Sequence, residues 1–424
     1  MTAETIVLIL YNIALLPVVF FSILFLIIAF IHLWVDREQE TEPKGNESFF
    51  PFVTVQVVSF NDPIAKRCVE MCLDFDYPKD KFEVMIVDDS TDNDTVSVLS
   101  SLQDKYPDMV RFVHRDNREG YKPGALRDAM HLVKGEFIAI FDSDFEPTPD
   151  FLKKIVAPFK DDKIGIVQAR QGFSNDETNL VARFAADLLR VHHTILMPIN
   201  NHVNSVFFCG TAGAIRKKAI VDAGGWNASS ITEDTDLSIK ILDAGYKNVY
   251  IKLEIPSEVP VTLEGWLKQQ MRWTFGNFRA FLDYKGLIFN KKFSLAQKFM
   301  ITFMTTGTII APVVMLMTIA GLLSWFFGDP QLFAFSQVYE FVLKFFYTSG
   351  FLFLVVITLV KQKDIRSFPK VLLGTFSLSI ILAGANSFAA YRAIFHKDKP
   401  LYKSKNNSWI CTPKVGNDSF NKVE

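Results

Sequence analysis

The sequence has few cysteines, almost no net charge, and neither an internal repeat nor a low-complexity tract. The four cysteines have neither the spacing of a disulfide framework nor that of a zinc motif: Cys68, Cys72, Cys209 and Cys411. The first two are four residues apart, on one face of a helix, and we expect them to be buried free thiols. A formal net charge of −1 offers no general attraction to nucleic acid, so we expect no nucleic-acid partner.

What the sequence has instead is hydrophobic residues concentrated at its two ends. Residues 5–35 form an apolar run that is too long for the core of a signal peptide and has neither a basic start nor a cleavage site. A helix of about 30 residues rises ~1.5 Å per residue and more than spans a ~30 Å hydrocarbon core. We therefore predict a retained transmembrane helix over residues 1–36, followed by a polar linker over residues 37–50.

From Pro51 the pattern changes to short strands that alternate with helices. Runs rich in β-branched residues predict strands at residues 53–60, 82–88, 111–114 and 136–142. Helical stretches lie between these strands. The alternation predicts a parallel sheet with helices on both faces, and ligands of such sheets bind beyond the carboxyl ends of the strands. Residues 51–260 are assigned to this α/β domain.

Acidic pairs follow two of these strands. Asp142 and Asp144 are two residues apart on extended chain, so their carboxylates point the same way. They are either solvated residues of a turn or ligands of a hard cation that neutralises a leaving pyrophosphate. Asp88 and Asp89 either cap the next helix or hold the base or ribose of a nucleotide. Lys122, in a loop that opens a helix, is either exposed or a diphosphate contact.

Two groups of residues later in the sequence also allow two interpretations each. Asp234 ends a Thr-Glu-Asp sequence before a helical stretch, where it caps the helix or acts as a general base for a sugar hydroxyl. Gln269, Arg272 and Trp273 lie in residues 261–295, an aromatic, amphipathic segment that reads as a membrane-interface helix. A tryptophan beside an arginine and glutamines also suits sugar recognition.

Together, in this order and spacing, these motifs resemble those of the processive family-2 glycosyltransferases: cellulose, chitin and hyaluronan synthases and the cellulose-synthase-like glucan and mannan synthases. The cellulose-synthase-like group is most similar, through residues 114–126 (HRDNREGYKPGAL) and 141–145 (FDSDF). The resemblance covers about residues 50–285. It implies the GT-A fold, a Rossmann-like mixed sheet that binds nucleotide sugars. It also implies an inverting transferase that adds hexose from UDP-glucose or GDP-mannose to a growing β-linked polysaccharide.

The resemblance further implies roles for single residues. Asp234 is similar to the catalytic base, with Glu233 beside it. Asp142 and Asp144 match a pair that binds Mg²⁺ or Mn²⁺. The implied donor contacts are Asp88, Asp89, Lys122, Asp142 and Arg272. The implied acceptor contacts are Cys209, Gly210, Thr211, Gln269 and Trp273.

The C-terminal membrane region is predicted over residues 296–395. Two spanning helices are expected at 296–327 and about 340–360, and a third apolar segment covers 367–395. We expect that third segment to lie in the interface or to re-enter the membrane. The lysine-rich tail, residues 396–424, then stays on the side of the catalytic domain, as the positive-inside rule prefers.

The tail carries Thr412 and Lys414 in a sequence that resembles the gating loop of cellulose synthases. With the first helix ending inside, the expected protein is integral to the plasma or Golgi membrane and its catalytic domain is cytosolic, where nucleotide sugars are made. Expected partners are the nucleotide-sugar donor, a glycan or lipid acceptor and membrane lipid. Three spanning helices are few for a channel through which a single subunit could secrete its product. A homo-oligomer or an accessory subunit is therefore a further expectation.

Two other functions are open at this point. One is a glycolipid-forming transferase of the ceramide-glucosyltransferase type, which has related aspartates and an Arg-Trp motif but a lipid acceptor. The other is a non-catalytic membrane sugar sensor or transporter subunit. Such a protein has no need of the base, the metal pair and the Gln-x-x-Arg-Trp set together.

Overall fold

The computed structural model describes residues 2–35, 48–327, 331 and 338–396. A mixed sheet of seven strands forms the centre, with the order β3-β2-β1-β4-β6-β5-β7. The strands are β1 Val53–Ser59, β2 Phe82–Asp88, β3 Val110–His114, β4 Phe137–Asp142, β5 Ile164–Phe173, β6 Gly213–Arg216 and β7 Lys247–Ser257. The first four lie within two residues of their predicted bounds, which confirms those predictions.

Fifteen α-helices surround or extend from this sheet in the part of the chain that is described. They are α1 Ala3–Val35, α2 Ala65–Leu73, α3 Asn93–Lys105, α4 Tyr121–Ala129, α5 Phe151–Val156, α6 Leu180–Val191, α7 Met197–His202, α8 Lys217–Asp222, α9 Glu233–Asp243, α10 Leu263–Ile288, α11 Leu295–Thr306, α12 Ile310–Leu323, α13 Val338–Thr348, α14 Gly350–Lys361 and α15 Phe368–Phe395. Cys68 and Cys72 are buried free thiols of α2, as predicted.

Strand β2 is largely apolar and buried on both faces, because helices cover both faces of the sheet there. Every residue of β2 is buried. Its residues alternate between two cores: Val84 and Ile86 pack towards α2, α3 and α5, whereas Met85 and Val87 pack towards α4, α8 and α9. Each buried aliphatic side chain contributes about 1.5–3 kcal/mol. A continuous apolar run is therefore the expected pattern for such a strand.

Strand β6 departs from the parallel arrangement that the strand–helix alternation predicts. It pairs antiparallel with both β4 and β5, whereas the four predicted strands pair in parallel, so the sheet is mixed, as the GT-A resemblance implies. The chain leaves β5 at the carboxyl edge, forms α6 and α7 there, and enters β6 from the same edge. The loop before β6 is thereby placed where ligands of α/β sheets bind.

Three of the described helical segments are long and apolar enough to cross a membrane: Ala3–Val35, Leu295–Phe327 and Ile365–Phe395. A fourth segment, Val342–Thr348 with Gly350–Lys361, is bent by 69°. Helix α1 packs against α12 and α14, and α15 packs against α10 and α12. The predicted interfacial or re-entrant placement of 367–395 stays a prediction, as does the gating role of Thr412 and Lys414, which lie outside the described residues.

Candidate active site

A cavity opens at the carboxyl edge of the sheet and is closed on its other side by α10. Its volume is about 1460 Å³, including the open mouth. Strand ends, the loop before β6, and the starts of α4 and α9 form its walls. The predicted site residues that line it are Asp89, Lys122, Asp142, Asp144, Cys209, Gly210, Thr211, Glu233, Asp234, Gln269, Arg272 and Trp273. The fold thus brings together motifs that are far apart in the sequence.

Lys122 is largely buried at the start of α4, beneath this cavity. Its Nζ donates to Asp142 Oδ1 at 2.6 Å and to the Gly210 carbonyl at 2.9 Å, and Glu233 Oε1 lies 4.0 Å away. Burial lowers the pKa of Lys122, but the nearby carboxylates of Asp142 and Glu233 raise it by a larger amount. The pKa of Lys122 is therefore above its ordinary value. The ammonium group therefore stays charged and can meet an anion in the cavity.

Asp142 and Asp144 both present carboxylates to the cavity from the end of β4. Asp144 is buried and accepts a hydrogen bond from the Glu258 N–H at 3.2 Å. The Asp142 side chain is 38% exposed. Ser143, between them, donates to Asp62 and so fixes the turn. Two carboxylates that face one cavity provide the oxygen donors that hard cations prefer, so these residues fit Mg²⁺ or Mn²⁺.

Glu233 and Asp234 begin α9 and face the same cavity. The Thr235 N–H donates to Asp234 Oδ1 at 2.8 Å, so this hydrogen bond engages only one of the two carboxylate oxygens. Burial raises the pKa of Asp234. Burial also raises the pKa of Glu233 to about 7, and the negative charge of Asp234 adds to that shift. A carboxylate with a raised pKa is a stronger base, which suits proton removal from a hydroxyl.

The loop before β6 is held tightly beside Asp234. Gly210 has a φ of +78°, and a Cβ built on it would lie 3.2 Å from Asp234 Oδ2. Thr211 Oγ1 accepts from the Asp142 N–H at 3.0 Å, and the Cys209 N–H donates to Gln168 Oε1 at 2.8 Å. Glycine at 210 therefore serves both the left-handed turn and the space next to the carboxylate.

Helix α10 forms the wall opposite the sheet. Gln269, Arg272 and Trp273 follow the i, i+3, i+4 spacing that places them on one face, and all three line the cavity. Gly276 lets the helix approach closely, since a Cβ there would lie 2.4 Å from Thr232 Cγ2. The segment that reads as an interface helix in the sequence is thus also a wall of the site.

The two predicted nucleotide-binding aspartates are placed differently. Asp88 is fully buried and does not line the cavity. It accepts hydrogen bonds from Ser90, and its Oδ2 lies 2.7 Å from His114 Nδ1. Asp89 lines the cavity and binds the Arg115 guanidinium through both oxygens, at 2.7 and 2.6 Å. Asp88 is therefore positioned to hold the turn, and its direct contact with a donor stays a prediction.

Sequence reasoning assigned no site role to Phe60 and Asp62, which follow β1, or to Arg118 and Tyr121, which follow β3. The Arg118 guanidinium lies 3.3 Å from the centre of the Phe60 ring, and both line the cavity together with Asp62 and Tyr121. A cation over an aromatic face is stabilised by the ring quadrupole. The rule that identified Asp88 and Asp89 also applies to residues 60–62, because these residues follow a strand of the same parallel set.

The profile of the family described as "Glycosyltransferase like family 2" matches residues 51–276, which is more than half of the chain. The chain belongs to glycosyltransferase family 2. This confirms the family that the motifs of the sequence resemble. The matched region contains every strand of the sheet and ends within α10, after the Gln-x-x-Arg-Trp motif.

Two curated relatives of this family-2 protein come from Oryza sativa subsp. japonica. Probable glucomannan 4-beta-mannosyltransferase 7 is 32% identical over 295 residues, which cover 66% of this chain and 50% of the relative. Glucomannan 4-beta-mannosyltransferase 1 is 33% identical over 275 residues, which cover 62% and 53%. The family-2 chain thus spans about half the length of these two relatives.

A solved structure shares the fold of this family-2 protein. Mannosyltransferase PcManGT from Pyrobaculum calidifontis, in complex with GDP-Man and Mn²⁺, superposes with a TM-score of 0.66. The match covers 92% of this chain and 100% of the other, at 18% sequence identity. The likeness establishes a GT-A-like mixed α/β sheet and confirms the predicted fold class.

Proposed function

We propose that the protein is a membrane-embedded, metal-dependent, inverting glycosyltransferase that transfers mannose from GDP-mannose to a growing β-linked glycan. The observation that carries the proposal is one cavity in which Lys122, the Asp142–Asp144 pair and Asp234 meet the Gln-x-x-Arg-Trp face of α10. Mannose is preferred to glucose because the curated relatives carry mannosyltransferase names.

The donor diphosphate binds between the cationic groups of Lys122 and Arg272. These charges stabilise the negative charge that develops on the leaving nucleoside diphosphate. A divalent cation held by Asp142 and Asp144 would supply further neutralisation of the charge on the leaving diphosphate. Asp89 lines the cavity, and its buried ion pair with Arg115 holds the loop that faces the nucleoside.

Asp234 acts as the general base. It takes the proton from the acceptor hydroxyl, and the hydroxyl oxygen attacks the anomeric carbon from the face opposite the leaving group. The carbon–phosphate-oxygen bond breaks, and its electron pair leaves with the diphosphate. One in-line displacement inverts the configuration, so an α-linked donor yields a β-linked product. Glu233 is less suited to this role because its carboxylate lies towards Lys122.

The acceptor end of the cavity is formed by Trp273 and the loop before β6. Helix α10, which carries Trp273, packs along α15, a segment apolar enough to cross a membrane. The acceptor therefore arrives beside the membrane helices. This position suits a glycan that leaves along those helices, and it also favours a lipid acceptor as the second candidate.

The membrane helices are proposed to hold the catalytic domain in the cytosol. Asp364, in the turn between α14 and α15, binds Arg183 of α6 at 2.5 Å, so this turn lies on the catalytic side. The same turn carries Lys361, Lys363 and Arg366, which the positive-inside rule places in the cytosol.

Contacts at both ends of α15 support its proposed interfacial or re-entrant placement. Near its start, Gly374 packs against Phe184 of α6. Near its end, the Ala393 carbonyl accepts a hydrogen bond from Arg279 of α10 at 3.3 Å. Positions 374 and 393 are about 19 residues apart, a rise of ~28 Å, so a straight crossing would put these two contacts on opposite sides of a ~30 Å hydrocarbon core.

The test uses the full chain in detergent with Mn²⁺ and either radiolabelled GDP-mannose or UDP-glucose. Product is separated into ethanol-insoluble polymer and organic-soluble lipid, with Asp234→Asn run in parallel. We expect polymer label from GDP-mannose, none from the variant, and loss of activity with EDTA that Mn²⁺ restores. If only UDP-glucose is used, the proposal of GDP-mannose as donor is wrong. If the label is in the lipid phase, the acceptor is a lipid and not a glycan. If neither donor is consumed, the transferase proposal fails.

A further inference from the structure

Two adjacent histidines and a cysteine converge next to the acceptor loop. His192 and His193 follow α6, and Cys209 belongs to the loop before β6, seventeen residues further along the chain. One ligating atom from each of the three residues lies within 4.8 Å of the other two. Within the described residues this is the one group of three or more His, Cys, Asp or Glu side chains that converges in this way.

The local backbone explains how adjacent histidines face one point. Neighbouring residues of an α-helix point about 100° apart, so both rarely face a common ligand. Here residues His192–Leu196 form a π-helical turn, a distortion that is frequent at functional sites. The two imidazole rings lie with their centres 5.0 Å apart and their planes at 89°. This arrangement lets one nitrogen of each ring point to a shared position.

The distances suit a metal ion that is bound tetrahedrally. His192 Nε2 lies 3.9 Å from Cys209 Sγ. Metal–nitrogen and metal–sulfur bonds of about 2.0 and 2.3 Å require ligand atoms ~3.5 Å apart in a tetrahedral site. A change of a few tenths of an ångström, within reach of side-chain rotation, would bring these two atoms to that separation.

A second observation points to a missing ligand. The His193 side chain is 1% exposed, yet its Nδ1 has no hydrogen-bond partner among the described residues. Buried polar atoms in folded proteins are almost always paired, and an unpaired nitrogen calls for an explanation such as an unseen ion. The neighbouring Tyr250 does not satisfy this nitrogen, because its hydroxyl donates to the His193 backbone carbonyl at 2.8 Å.

We propose that His192, His193 and Cys209 form a binding site for Zn²⁺, separate from the Asp142–Asp144 pair. Imidazole and thiolate ligands select a borderline or soft cation, whereas two carboxylates select a hard one. On binding, the Cys209 thiol loses its proton to solvent and the sulfur bonds to the metal. Three protein ligands would leave a fourth position for a water molecule or another ligand.

Occupation of this site would join the acceptor loop, which lines the cavity, to a helical segment outside the cavity wall. Cys209 belongs to the loop that contains Gly210 and Thr211, and the two histidines belong to the helical segment that follows α6. A bound ion would therefore fix the acceptor loop to this helical segment. It would also stabilise the folded state, since the three ligands converge only there.

The test uses purified full chain that is stripped with EDTA, freed of the chelator and saturated with Mg²⁺ to fill the carboxylate pair. Co²⁺, which takes zinc sites and reports thiolate bonds by charge-transfer absorbance, is then titrated in. We expect one Co²⁺ per chain with a thiolate band, and displacement of Co²⁺ by Zn²⁺. Cys209→Ser should remove the band, and His192→Gln should weaken binding ~10- to 100-fold or more.

His131→Gln is the matched control, because His131 is exposed and belongs to no such group. A second measurement needs no variant: Zn²⁺ should protect Cys209 from alkylation by iodoacetamide, followed by mass spectrometry. If the Mg²⁺-saturated wild-type chain shows no thiolate band, or if Cys209 is alkylated equally with and without Zn²⁺, the proposed site is wrong. Equal weakening by His131→Gln would overturn it as well.

Discussion

Glu233 and Asp234 are neighbouring carboxyl groups in one buried environment, and they differ in their contacts. Asp234 receives the Thr235 N–H on one oxygen and has Gly210 beside the other. Glu233 lies 4.0 Å from the ammonium group of Lys122. Close carboxylates repel each other and raise the pKa of the pair, while the nearby ammonium group lowers it. On the basis of these contacts we propose proton transfer by Asp234 and a charge-balancing role for Glu233.

The pH dependence of transfer should reflect this pair. A general base works only as the carboxylate, and burial raises the pKa of Asp234, so its deprotonated fraction falls at any given acidic pH. We expect kcat to increase from acidic to neutral pH, with an apparent pKa above the ordinary range of an aspartate. The measurement is kcat for mannosyl transfer across that range at saturating donor and Mn²⁺.

The variants Glu233→Gln and Asp234→Asn separate the two carboxyl groups. Glu233→Gln removes a neighbouring negative charge, so the remaining pKa falls and the acidic limb of the kcat profile moves to lower pH, with activity retained. Asp234→Asn should lower kcat by about 10²–10⁴-fold at every pH. The opposite pattern, with activity retained by Asp234→Asn and lost by Glu233→Gln, would transfer the role of the base to Glu233.

Helix α10 is the element whose position most directly sets the site. It carries Gln269, Arg272 and Trp273 on one face and lies against the loop that leads to Asp234. Thr262 caps its start by accepting from the Gly265 N–H at 3.2 Å. Its contact with Thr232 leaves no space for a side chain at position 276. The helix is therefore held at a fixed distance from the base.

Gly276→Ala should displace α10 because the new Cβ would lie 2.4 Å from Thr232 Cγ2. A shift of about 1 Å in groups that position a substrate can cost ~10²-fold in rate, so we expect kcat/KM to fall ~10- to 100-fold. Gly286→Ala on the same helix is the control, since nothing lies within 4 Å of a Cβ there. Transfer kinetics of both variants give the comparison.

The control variant Gly286→Ala also has an expected effect on thermal stability. Alanine in a helix is favoured over glycine by about 0.5–1 kcal/mol, so Gly286→Ala should keep its activity and unfold at an equal or higher temperature. If both variants lose activity to the same extent, close packing at Gly276 is not what positions the helix.

An ion-pair network joins the catalytic domain to the membrane helices. Arg183 of α6 is almost fully buried and contacts Asp187 at 3.0 Å and Asp364 at 2.5 Å. A second pair, Lys370 to Glu177 at 2.6 Å, connects the same two parts of the molecule at the surface. The two pairs differ in burial, and Glu177 links them, because it also binds Arg183 at 2.7 Å.

Asp364→Asn should destabilise the protein more than Lys370→Gln. Loss of a charged hydrogen-bond partner of a buried arginine costs about 1–3 kcal/mol. An exposed ion pair contributes only about 0–1 kcal/mol, because solvent screens it. We expect a clear fall in Tm in detergent for Asp364→Asn and little change for Lys370→Gln. Equal shifts would show that burial of Arg183 does not strengthen this connection.

The sequence by itself determined the positions of the first four strands and the chemistry at their ends. Both depend on short stretches of sequence. A buried strand is recognised by a short apolar run, and a carboxylate pair such as Asp142 and Asp144 is recognised by its position directly after that run. The order and spacing of the motifs also identified the family. The apolar ends predicted helices long enough for a membrane, because length and hydropathy are properties of the segment alone.

Only the tertiary structure decided which of these residues share a site. The antiparallel insertion of β6 brings Gly210 to Asp234, and close packing at Gly276 turns an amphipathic helix into a wall of the cavity. It also buries Asp88 behind the cavity and brings Cys209 next to His192. These juxtapositions depend on contacts between segments that are distant in sequence, and local periodicity and motif spacing do not encode such contacts.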